Sequence, residues 1–300
     1  MQNDNFKSYL HLHLIVFIWG FTAVLGALIS LEALPLVWWR MAIATAIILL
    51  FIFWKKIPLA LTKRAVFFMV LAGLVIALHW LTFFKAIKVS NVSVTLACLS
   101  TGAFFTSFLE PLLYGKKIVW YEVLFGLIVI LGLYIIFNVE GDYVLGIILA
   151  LTSAFLSALF SVINGKFAKE YHPATISFYE LSGGVLFLSI YLLFTSGFTT
   201  AFFRLSLPDL GWLFVLASVC TAYAFIASVA VMKHLSPYTV MLTINLEPIY
   251  GIILAVIVFQ EKEKMNPSFY VGALIILSTV ILNAVVKNYQ KKQKLKNNLN

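Results

Sequence analysis

The stretch 239–251, TVMLTINLEPIYG, decides how this chain is read. It lies inside an apolar run, 238–259, whose single charge is Glu247, followed directly by Pro248. Proline lacks an N–H and interrupts a helix ladder. A charge in hydrocarbon costs about 2.5–3.5 kcal/mol on insertion scales and faces a bundle interior or a cavity. Both features together at the middle of an oily segment mark a place where the chain does something other than span.

The rest of the sequence says what the segment spans. Of 300 residues, 62% are hydrophobic and 11% charged, with a mean hydropathy of +1.01. Typical soluble domains carry about 25% charged residues, so the bilayer is the expected solvent. A hydrocarbon core about 30 Å thick takes roughly 20 residues of helix. Ten such runs can be read: 10–31, 34–54, 65–84, 91–114, 118–137, 144–163, 174–195, 210–231, 238–259 and 269–287. They lack sustained alternation, which argues against a barrel and leaves helices. The lead-in MQNDNFKSYLHLH has one lysine and no A-x-A cleavage site follows, so the first run reads as a retained helix. Cys98 and Cys220 fall in separate runs with no CxxC pairing and read as small core hydrophobes.

A net charge of +9 raises the question of nucleic acid, but its placement answers it. With the N-terminus inside, the inner segments hold fifteen Lys and Arg, and the outer loops five: Lys85, Lys88, Arg204, Lys262 and Lys264. That asymmetry fits the positive-inside rule with both termini cytoplasmic. The lysine-rich end, 288–300, reads as a cytoplasmic topology anchor.

The chain also resembles itself. Segment 85–102 lies over 231–248 at an offset of 146, which pairs Ser90 with Ser236, Val94 with Val240, Leu96 with Leu242 and Gly102 with Pro248. Earlier in the halves the offset is 140, and Arg40 meets Glu180. The tripeptide LEP at 109–111 and 246–248 breaks that alignment and reads as coincidence. Five helices per half make the second half enter from the opposite side, an arrangement that places substrate sites at the midplane between repeats. The expected domains are thus 10–137 and 144–287, joined outside by NVEGDY (138–143).

Ten helices in two halves, IWGFTA in the first run, and VSNVSVT and LSPYTV entering the fourth and ninth, resemble the drug/metabolite transporter superfamily, its EamA-type branch above all. The likeness covers about residues 10 to 286. It implies an all-α membrane protein of two inverted five-helix repeats that moves small metabolites, with export of amino acids or related compounds as the implied activity. The chain departs from the family pattern in having Gly102 where a proline is frequent and Gly115 where an acid is frequent; Glu261 is present in the second half.

Depth, at 1.5 Å per residue, separates the candidate residues. Arg40 and His79 fall roughly 9 Å below the outer surface, Glu180 about 9 Å from the inner one, and Glu247 roughly 14 Å from it, near the midplane. Glu110, about 28 Å down its helix, reaches the interface near Lys116 and reads as structural. The pathway set is therefore Glu247, Arg40, His79 and Glu180, with Asn245, Tyr179 and Asn164 as polar groups that line a path or bond between helices. Pro248 and Gly102 are the expected helix breaks. Arg40 suits a carboxylate through its planar fork, and packing against backbone carbonyls is its other reading. Trp38, Trp39 and Trp80 read first as aromatic-belt or packing residues and second as cavity walls.

No GxxxxGK[ST] motif is present for direct ATP drive, and no HExxH or clustered His/Asp/Glu set for an intramembrane enzyme. Neither cofactor nor metal is implied. The reading is a secondary transporter of a small-molecule substrate in the lipid bilayer of a cytoplasmic membrane. Protons carried by Glu247 and His79 are one way to drive it; an uncoupled facilitator is the alternative, and a scaffold without transport a weaker one. A reporter fused after Asn300 should be active only in its cytoplasm-sensing form, and activity of a periplasm-sensing enzyme there would overturn the ten-crossing topology.

Overall fold

A computed structural model describes residues 2–139, 143–263, 265 and 267–297. Among these residues there is helix and no strand. In chain order the helices are α1 (Gln2–Leu28), α2 (Ala33–Lys55), α3 (Lys63–Val89), α4 (Val92–Leu99), α5 (Gly102–Tyr114), α6 (Trp120–Val139) and α7 (Val144–Glu170). There follow α8 (Pro173–Phe194), α9 (Thr200–Phe203), α10 (Leu207–Ala217), α11 (Ala224–Val231), α12 (Pro237–Ile244), α13 (Glu247–Phe259) and α14 (Pro267–Asn297). Eight spans among the described residues are long and apolar enough to cross a membrane, with α4–α5, α10–α11 and α12–α13 each forming one. The runs expected at 118–137 and 269–287 correspond to α6 and α14, which pack on each other, Gly132 lying against Ile276. Most of the connector 138–143 lies outside the described residues.

The helix starts follow from short polar residues placed where the first turn needs acceptors. Asn91 accepts from Val94 N at 2.8 Å, Ser206 from Asp209 N at 3.2 Å and Ser236 from Thr239 N at 3.2 Å. These are side-chain N-caps. The motifs VSNVSVT and LSPYTV are therefore helix starts, with Asn91 and Ser236 in equivalent places and Pro237 at the first helical position.

Two spans are broken in the same way. The first stops at Leu99 and resumes at Gly102, the second stops at Ile244 and resumes at Glu247. Caps and breaks both lie 145 residues apart, one fewer than the offset read from sequence identity, so Gly102 stands opposite Glu247 rather than Pro248. Pro248 falls in the first turn of α13, where a missing N–H costs little. A Cβ at Gly102 would meet the flexible end of Met241 of α12, at 2.6 Å from its Cε, a contact that a rotation of that side chain relieves.

The broken spans cap one another. Glu263, after α13, accepts from Val92 N and Ser93 N, both at 2.9 Å, at the start of α4. Glu110, in α5, accepts from Tyr238 N of α12 at 3.1 Å and pairs with Lys116 at 2.9 Å. Elsewhere the halves meet where α3 crosses α8. A side chain at Gly73 would collide with the carbonyl oxygen of Glu180, and one at Gly183 with Val70, so the two backbones approach as small-residue membrane contacts do.

Glu263→Ala strands two buried N–H groups and should cost about 1–3 kcal/mol. Lys85→Ala, which removes only the exposed 3.4 Å pair with Glu32, should cost about 0–1 kcal/mol. Thermal unfolding of the two variants in detergent compares them directly.

Candidate functional site

The site begins with Arg40, on α2 and only 1% exposed. Its Nε donates to Thr221 Oγ1 at 2.6 Å. Thr221 belongs to a π turn, Ser218–Tyr223, between α10 and α11, and its hydroxyl donates in turn to Leu216 O at 2.7 Å. Such turns inside helices recur at functional sites because they free and re-aim backbone groups. The guanidinium carbon lies 3.8 Å from the ring centre of Trp80 and 5.5 Å from that of Phe84, a cation–π seat strengthened by burial. Nη1 is buried without a hydrogen-bond partner. Arg40 is thus fixed by a hydroxyl and a ring rather than by backbone carbonyls, and keeps a donor to spare.

Glu247 opens α13, where the partial positive charge of a helix N-terminus favours a carboxylate. It and Arg40 line one cavity of about 80 Å³, room for several water molecules. Among the described residues no ion pair joins them. His79 lines the same cavity. Its Nδ1 stands 2.9 Å from Ser153 O and 2.8 Å from Ser153 Oγ, so α7 fixes the ring. The remaining wall is aromatic and sulfur-bearing with a few hydroxyls: Trp19, Phe160, Phe225 and Met241 beside Ser157, Ser161 and Ser228. With Leu99, these side chains come from α1, α2, α3 and α4 as well as α7, α11, α12 and α13, so both halves build the cavity.

The other expected residues lie elsewhere. Glu180 and Asn164, both fully buried, bond to each other, Nδ2 to Oε2 at 3.3 Å. Tyr179 donates to Leu59 O at 2.8 Å and ties α8 to the loop 56–62, which Thr175 also holds through Pro58 O at 3.1 Å. Asn245 caps α12 at the break, its side-chain nitrogen and oxygen buried and unpartnered. Trp80, read from sequence first as a belt or packing residue and second as a cavity wall, is buried beneath Arg40 and lines the cavity. Trp38 donates to Ser189 Oγ at 2.8 Å and sits in a ring cluster with Phe198 and Phe202. Thr221 was not among the sequence candidates: SVCTAY carries no proline or glycine to announce a π turn.

Thr221→Val removes the one hydrogen bond to a buried guanidinium and should lower stability by about 1–3 kcal/mol. In an Arg40→Met background the same change should cost much less, and a double-mutant cycle on thermal unfolding measures the difference. Equal costs in the two backgrounds would show that Thr221 does not hold Arg40.

Comparison with known proteins agrees with this architecture. The EamA-like transporter family matches the chain twice, over residues 6–138 and 144–285. A protein of Archaeoglobus fulgidus described as an uncharacterized transporter is 24% identical over 291 residues, covering 93% of this chain and 97% of the relative. A solved crystal structure shares the fold with a TM-score of 0.70 at 13% identity, over 95% of this chain and 98% of the other. Two matches that together take in nearly all of the sequence, on a helical membrane fold, place this multi-pass chain in the EamA-like transporter family.

Proposed function

We propose that this transporter is a secondary exporter of small metabolites, amino acids or related compounds, built as two inverted five-helix repeats, 10–137 and 144–287, with the cavity as its substrate site. The observation that carries this reading is a cavity walled by both halves with a guanidinium and a carboxylate on it that do not pair. A donor fork suits a solute carboxylate, Glu247 suits a cationic group, and the rings suit an apolar body. The family match in two segments and the breaks 145 residues apart support the repeat. Inverted repeats place their sites where discontinuous helices meet, and α12–α13 brings Glu247 to such a place.

The proposed setting is a cytoplasmic membrane with both termini inside, supported by the lysine and arginine asymmetry. Protons drive export in this reading. Glu247 and His79 are the titratable groups on the cavity beside Arg40, and Glu247 exchanges a proton or a substrate cation there. Asn164, Glu180, Asn245 and Tyr179 belong to the surrounding polar framework, and Gly102 and Pro248 to the breaks.

Proteoliposomes loaded with a labelled amino-acid mixture, with and without an imposed pH gradient, test the reading. Gradient-sensitive flux is expected, and gradient-blind flux identifies a facilitator. Glu247→Gln should lower flux about tenfold or more, since a charged hydrogen bond contributes about 1.5–3 kcal/mol. Full, gradient-sensitive flux through that variant would make Glu247 a structural residue.

A further inference from the structure

Glu180 presents an accounting problem separate from the cavity. It is fully buried on α8, which packs against α2, α3, α7 and α11. Its one hydrogen bond is the 3.3 Å contact from Asn164 Nδ2 to Oε2. The other carboxyl oxygen, Oε1, and the other amide atom, Asn164 Oδ1, are both buried with no partner. Both are acceptors, and an unmatched buried acceptor is costly. Turning the amide over does not help, since Oδ1 would then face Oε2, two acceptors at hydrogen-bond distance.

No cation resolves it. The titratable groups on the interior of the helices packed against α8 are Arg40 and His79. Arg40 is engaged with Thr221 and Trp80, and His79 with Ser153. The remaining lysines and arginines of α2, α3 and α7 lie toward the helix ends, Lys88 held by Ile29 O and Lys166 by Leu113 O. On α8 itself Tyr179 is bonded to Leu59 O. Among the described residues no ion pair reaches Glu180, and no cluster of His, Cys, Asp or Glu is present that would hold a metal.

We propose that Glu180 and Asn164 form a proton-binding site outside the substrate cavity, a carboxylic acid and a carboxamide closed into a ring by one proton. The proton makes an O–H bond on Glu180 Oε1 and is donated to Asn164 Oδ1, while Asn164 Nδ2 continues to donate to Oε2. One proton thereby satisfies both unpartnered atoms and removes an uncompensated buried charge. The site has a link to the cavity. Ser161, one turn before Asn164 on α7, lines the cavity and has a buried, unpartnered hydroxyl. The site goes beyond the transport reading, and its test needs no transported substrate.

The test is infrared difference spectroscopy of the full chain in liposomes at neutral pH, wild type against Glu180→Gln. The wild type should show one extra protonated-carboxyl carbonyl band that moves on exchange into D2O and is lost in the variant. The glutamine amide keeps both bonds to Asn164, so the thermal midpoint should not change. Asn164→Leu gives an independent check, because Glu180 stays but its ring opens and the acid band should shift to higher frequency. Loss of a carboxylate band instead of an acid band in Glu180→Gln overturns the proposal. So does a sodium-dependent rise in the wild-type thermal midpoint that is absent from Glu180→Gln, which would mark a cation site. Neither result bears on whether the cavity carries metabolites.

Discussion

Hydrocarbon offers the backbone no hydrogen-bond partner, so a helix broken inside a bilayer must find partners within the protein. At the first break, Ser100 and Thr101 turn their hydroxyls back onto the carbonyls of Ala97 and Cys98. The ends of the broken spans are settled across the molecule, with Glu263 on the start of α4 and Glu110 on the start of α12. This exchange of carboxylates holds the two halves in register, and the cavity walls contributed by α4, α12 and α13 depend on it.

The same constraint shapes the cavity. Arg40 is tolerated among apolar helices because a hydroxyl takes Nε and two rings take its face. The hydroxyl is available there because the α10–α11 span opens into a π turn at Thr221. Glu247 is tolerated because a helix begins at it. Among the described residues no contact ion pair joins the two, and Arg40 Nη1 is left without a hydrogen-bond partner. A direct ion pair would have been another way to bury both.

How much of this could be read in the sequence depends on what marks each feature. Composition and run length were enough for a helical membrane protein, because the bilayer sets span length for any sequence. The break before Glu247 was marked by a proline and a charge in an otherwise oily segment. Its counterpart before Gly102 was marked only by comparison with the first, and the offset came out one residue long. The reason is that Asn91 and Ser236 do the same capping job with different side chains, so identity favoured matching Ser90 to Ser236. Glu180 and Asn164 were both picked out as polar intruders, but their pairing across two helices leaves no local pattern. The π turn at Thr221 was illegible, and belt, packing and cavity wall all stayed open for Trp80 because its depth says nothing about which way it faces.

The two crossed caps differ in when they become available. Glu110 is already in the chain when Tyr238, 128 residues later, arrives to be capped. Val92 must wait for Glu263, 171 residues downstream. At a synthesis rate of roughly 5–20 residues per second, that interval is about 9 to 34 s. During it the N–H groups of Val92 and Ser93 lack the carboxylate that later accepts from them, while Asn91 already caps the helix at Val94. The newborn first half is thus an unfinished template: it can receive the second half's broken span at once, while its own is completed only when the last hairpin has been made.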